Sequence, residues 1–196
     1  MKRINSTLAA TLLAATALLG AHGGAAASPT CTVWTDPAND EQSTPVLMAG
    51  PAQDLLKGTI TTTDSGQTLV VRIYVQNLSL TLPQNATDAI WEMGWSFNTP
   101  EEGVAFFRVD QSGTVSYYDF DSQVPDTGSY VLGPNGYVEI DVPFSHLHIS
   151  RGSVLHGVTG ETVLETVFQP TGTTPFEDGA DESPVPAPDY TVGSTC

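Results

Sequence analysis

Between residues 54 and 168 the chain repeats one pattern: apolar and polar side chains alternate, and turn residues break the run at short intervals. In residues 68–76 (TLVVRIYVQ) Leu69, Val71, Ile73 and Val75 share one face, while Val70, Arg72 and Tyr74 share the other. Residues 90–97 (IWEMGWSF) set Trp91, Met93, Trp95 and Phe97 against Glu92, Gly94 and Ser96. Residues 137–144 (YVEIDVPF) set Val138, Ile140 and Val142 against Glu139 and Asp141. A side-chain period of two belongs to a strand with one buried face. Turn chemistry at Asp64–Gly66, Asp110–Gly113, Asn135–Gly136 and Gly160 supplies residues that tolerate positive φ, so each predicts a hairpin. About nine strands follow, near 54–63, 68–76, 90–98, 103–110, 114–120, 128–132, 137–142, 153–159 and 162–168. The helical period is confined to one turn near Ser145–Ile149. Many short strands with frequent turns predict an all-β, antiparallel sandwich of jelly-roll or immunoglobulin-like type, in preference to a barrel.

The first residues do not belong to that fold. Lys2 and Arg3, the apolar run from Leu8 to Leu19 and the small residues Ala25, Ala26 and Ala27 form a secretory leader, with cleavage expected after Ala27. The run is too short to span a bilayer. Cys31 lacks the small-residue box with an upstream Leu that lipid attachment requires, so the expectation is a secreted, extracellular protein with no membrane anchor. Residues 28–196 have the length of one domain. They contain all 22 acidic residues and four basic ones, Lys57, Arg72, Arg108 and Arg151, for a net charge of −18. A surface this acidic excludes nucleic acid and anionic lipid as partners.

The two cysteines, Cys31 and Cys196, bracket the domain. An even count in an oxidising compartment points to one bond between them; two free thiols or pairing between chains are the alternatives. The tail, 170–196, is rich in Pro, Gly, Asp and Glu, a composition that reads as loop or disorder. A bond to Cys31 would return it across the domain, with Asp189–Gly193 (DYTVG) adding a final strand.

Chemistry concentrates in the loop before the first predicted strand, TDPANDEQSTPVLMAGPAQDLL, which carries Asp36, Asp40, Glu41 and Asp54. Calcium takes six to eight oxygens in a flexible geometry. A Pro-stiffened loop can supply several. The same disulfide would bring the tail acids Asp178, Asp181 and Glu182 to this end. The expected metal ligands are therefore Asp36, Asp40, Asp54 and Asp181; the competing reading is an ordinary solvated turn. Asp119, Asp121 and Asp126 form a second, weaker acidic group. Trp91 and Trp95 could sandwich a sugar ring, although a stripe with Met93 and Phe97 also describes a core. Of Phe107, Tyr117 and Tyr118, some must face outward and could form a ligand platform. His146, His148 and His156 lack the spacing of a zinc site. No catalytic motif of the G-x-S-x-G or H-E-x-x-H type is present, and Glu101 and Glu102 read as solvated turn acids. The expectation is a protein that is not an enzyme.

Taken together, DLLKGTIT, TLVVRIYVQNLSLTLP, WSFNTPEEGVAFFRVD, GYVEIDVPFSHL and DYTVGSTC resemble secreted bacterial β-sandwich domains related to DOMON-like domains and family-nine carbohydrate-binding modules. The resemblance implies a two-sheet sandwich. Members bind sugar ends, haem or calcium. The expected function is a calcium-stabilised binding or accessory domain with a carbohydrate or cell-envelope ligand. The alternative is an interaction protein, a partner or inhibitor of a secreted enzyme, with no small ligand.

Overall fold

A computed structural model describes residues 30–43, 47–63, 66–97, 102–119, 124–166, 176–183 and 188–196. The leader at 1–27, Glu101 and Asp121 lie outside the described residues. In chain order the strands are β1 (Cys31–Thr35), β2 (Leu55–Thr62), β3 (Thr68–Val75), β4 (Asn77–Leu78), β5 (Asp88–Ser96), β6 (Glu102–Asp110), β7 (Val115–Asp119), β8 (Thr127–Val131), β9 (Gly133–Pro134), β10 (Tyr137–Pro143), β11 (Val154–Thr166), β12 (Phe176–Glu182) and β13 (Tyr190–Thr191).

These strands form two main antiparallel sheets and one two-stranded ribbon. The first has the order β1-β2-β3-β10-β8 and the second β12-β11-β5-β6-β7; β13 pairs with the start of β11, and β4 pairs with β9. The all-β, sandwich-like architecture agrees with the sequence reading. The alternating residues face inward as their period requires. Leu69, Val71, Ile73, Val75, Val138, Ile140 and Val142 from the first sheet meet Trp91, Met93, Trp95, Phe107 and Leu164 from the second in one core. Each such side chain taken out of water contributes about 1.5–3 kcal/mol. Gly66 and Gly113, at φ +63° and +78°, close the β2–β3 and β6–β7 hairpins. Asp110 locks the latter, its Oδ1 accepting from the N–H groups of Ser112 (2.8 Å) and Thr114 (2.9 Å).

Three elements depart from the reading. The predicted hairpin at Gly160 is absent, because β11 runs unbroken through it, bulging between His156 and Thr159. Gly160 is there for close approach. Trp34 of β1 lies across the open edge of the sandwich, and a Cβ at Gly160 would stand 2.1 Å from its ring. A Cβ at Gly58 of β2 would stand 2.3 Å from the same ring. The tail contains β12, paired with β11 from Thr166↔Phe176 to Glu161↔Glu182. The first strand is β1, which precedes the acidic loop instead of following it. The bond between Cys31 and Cys196 is present, with a Cα–Cα distance of 5.5 Å. As expected, β13 falls within DYTVG.

The topology fixes where chemistry can gather. β1 and β12 are edge strands on one side of the sandwich, β8 and β7 on the other. Each side leaves a seam where two sheets face each other without a ladder between them.

Candidate functional site

At the β1–β12 seam the acidic loop is held by its own backbone. Asp36 N–H donates to Leu56 O at 2.9 Å, which extends the β1–β2 ladder by one rung. After Pro37 the chain turns through Asn39 at φ +68°, a conformation Asn tolerates. Asn39 N–H donates to Asp54 Oδ2 at 2.8 Å, and Gln76 Nε2 donates to Asn39 Oδ1 at 2.9 Å. Gln42 N–H donates to Ala180 O at 2.6 Å, tying the loop to β12. Asp181 follows on β12; its Oδ2 accepts from Leu55 N–H at 2.7 Å and its Oδ1 from Glu182 N–H at 2.9 Å.

The result brings carboxylate oxygens of Asp36, Asp40 and Asp181 within 4.8 Å of one another. Both Asp36 oxygens, Asp54 Oδ1 and Glu41 Oε2 are shielded from solvent without a hydrogen-bond partner. Among the described residues no ion pair reaches any of these acids. Burial lifts the Asp36 carboxyl to about 7, reinforced by repulsion from Asp181, Asp40 and Asp54. Burial lifts Asp181 to about 6, against the lowering effect of its two backbone donors. Asp54 is raised by burial as well, opposed by the Asn39 amide. This group of acids could hold a metal ion.

Of the four residues expected to ligate, Asp36, Asp40 and Asp181 are brought together. Asp54, fully buried, stands beneath the loop and fixes it through Asn39. Asp181 arrives by a different route from the one expected. The pairing of β12 with β11 carries it to Thr162, whereas the disulfide closes near Ile60. Glu182 is exposed, and the side chain of Asp178 lies outside the description.

Trp91 and Trp95 do not form a sugar platform. They are 1% and 3% exposed and belong to the core. Trp91 Nε1 donates to Ala52 O at 2.7 Å and its ring meets Phe107 at 5.4 Å; Trp95 packs over Gly103. The two-residue period that sets them on one face also sets that face inward, and burying such large apolar surface outweighs any gain from displaying it.

An aromatic pair that does face outward on the second sheet is Phe106 with Tyr118, ring centroids 5.5 Å apart and planes at 27°. Both are half-buried on the outer surface of the second sheet. Glu92 sits in register opposite Phe106. Beside this row a groove of about 310 Å³ crosses β11, β5 and β6, lined by Glu92, Gly94, Ser96, Glu102, Val104 and Thr159. Phe106 was overlooked in the sequence because FF at 106–107 splits between faces, and only its neighbour serves the core.

No known protein family and no curated protein matches the chain in sequence. A crystal structure described as that of a "putative carbohydrate-binding protein" from Bacteroides uniformis aligns with it at 10% identity and a TM-score of 0.33, over 80% of this chain and 78% of that one. A likeness that low carries no argument about ligand. What the molecule itself defines is a class: a disulfide-closed, all-β sandwich-like protein with an acidic centre competent for a metal ion.

Proposed function

We propose that this protein is a secreted, non-catalytic binding domain, residues 28–196 after removal of the leader, stabilised by calcium and presenting the outer face of its second sheet to a carbohydrate. The observation that carries the binding reading is the juxtaposition of the Phe106–Tyr118 pair with a groove edged by Glu92, Glu102, Ser96 and Thr159. A sugar offers C–H groups to an aromatic ring and hydroxyls to carboxylates and Ser or Thr oxygens. Two carboxylates at the groove of a mature chain with net charge −18 exclude acidic polysaccharides and favour a neutral one. The resemblance to family-nine carbohydrate-binding modules fits this reading, and a disulfide is compatible with an extracellular setting.

Calcium is the cation best matched to the β1–β12 seam, whose candidate donors are all carboxylate oxygens. It would neutralise Asp36, Asp40 and Asp181 and satisfy oxygens that lack donors.

Titration calorimetry of the mature protein against neutral oligosaccharides tests the binding reading. Binding that is lost in Phe106→Ala and in Glu92→Gln supports it; retention in both variants, or no binding across a glycan array, removes it. A second reading rests on β8. This edge strand exposes Tyr130 and Val131, and Leu132 follows, at 38%, 48% and 54%. An unpaired edge with apolar side chains can accept a partner protein's strand. Co-purification from culture medium that is abolished by Val131→Lys would favour it.

A further inference from the structure

The opposite seam carries a second cluster of different chemistry. Asp119 ends β7, Asp126 precedes β8, and His146 lies in the turn after β10. The turn is set by His146 N–H donating to Pro143 O at 2.9 Å, and Asp126 is placed by its N–H donating to Tyr117 O at 2.9 Å. His146 Nδ1 stands 3.0 Å from Asp126 Oδ1 and 3.3 Å from Asp119 Oδ2, and one donor atom from each residue lies within 4.8 Å of the others. Both carboxylate side chains are 0% exposed. Asp126 Oδ2 is buried with no hydrogen-bond partner. His156, by contrast, turns its Nδ1 to Asp189 at 2.9 Å and takes no part.

We propose that Asp119, Asp126 and His146 form a binding site for a zinc-class divalent cation, separate from the calcium reading at the other seam and independent of it. An imidazole nitrogen among the donors selects against calcium and magnesium, which take oxygen, and for zinc or its neighbours. Metal–ligand bonds of about 2.0–2.1 Å in a tetrahedron put neighbouring donor atoms about 3.3 Å apart. The His146 nitrogen stands at that spacing from Asp119 and at 3.0 Å from Asp126, a few tenths of an ångström short of it. Three protein donors leave a fourth position to water. The ion would join β7 of the second sheet to the β10 turn of the first, where no strand ladder crosses. It would also occupy the unpartnered Asp126 oxygen's surroundings with positive charge, which the mutual repulsion of two buried carboxylates calls for.

The test uses the oxidised mature chain, stripped of metal and held in saturating calcium. Zinc titration should show one zinc per chain that calcium does not displace, and zinc should shift the His146 ring nitrogens in a 15N imidazole spectrum. His146→Ala should weaken zinc binding by more than the about 10–100-fold typical of losing a ligand's hydrogen-bond partner. Asp36→Asn should leave it unchanged. No zinc uptake, uptake without a change at His146, or uptake lost in Asp36→Asn and kept in His146→Ala would each overturn the assignment. His146 would then be a hydrogen-bonding clamp on two aspartates. Should His146→Ala fail to fold by circular dichroism, the ring spectrum of the wild-type chain decides alone.

Discussion

Asp36 is the residue on which the chemistry of the acidic loop turns. Its folded pKa of about 7 and that of Asp181 near 6 lie above the unfolded value of 3.8, so the calcium-free native state holds protons that the unfolded chain releases. Stability must then fall as pH rises from about 4 to about 7, and level off beyond. Thermal melts in chelator should show this decline. Calcium competes with those protons, so its stabilising effect should grow through the same window. At a hundred times its Kd it adds about 2.7 kcal/mol, several degrees for a domain of this size. Asp36→Asn should abolish that gain and, in chelator at neutral pH, melt above the wild type, because it removes a charge that the fold leaves without a partner. The residues of this cluster were legible in the sequence as a group of carboxylates. Their convergence was expected, but by way of the disulfide; Asp181 reaches Asp36 through strand pairing that its own neighbourhood does not announce. His146 was passed over for the same reason: its two partners are 20 and 27 positions away and no local spacing marks them.

Among the elements, β3, β5 and β10 were legible because burial on one face wrote a period of two into them. β12 was not. Its sequence, FEDGADE, is that of an edge strand whose only described buried side chains are Ala180 and Asp181, so composition reads it as loop. β11 was misread in the middle. Gly160 looks like a turn residue, but serves as the hole that receives Trp34. Its replacement distinguishes the two roles. In a turn at ordinary φ, Gly160→Ala would be nearly neutral; in the strand it forces the indole aside and should cost about 1–3 kcal/mol in urea unfolding. Trp34→Ala leaves a cavity across the seam and should cost about 3–5 kcal/mol. The double variant should cost less than the two added together, because the clash disappears with the ring.

For the molecule as a whole, the two sheets are joined by their common core and by contacts at both seams, and Cys31 is joined to Cys196 across 165 positions. Replacing both cysteines by serine should lower unfolding free energy by about 2–5 kcal/mol, read from denaturant melts at matched pH and calcium. The slope of the transition should also rise, since an open chain exposes more surface when it unfolds.

That closure has a mechanical corollary. A pull applied between residues 31 and 196 acts on a covalent bond spanning 5.5 Å, and no hydrogen-bonded ladder lies in its path. The oxidised molecule is thus nearly inextensible along the axis joining residues 31 and 196: tension passes through the bond while the sheets stay slack. Cutting the bond with a reductant releases the enclosed chain, whose full extension is about 550 Å. In a force spectrometer the oxidised protein should transmit load with almost no lengthening, and the reduced protein should lengthen by hundreds of ångströms as the sandwich gives way.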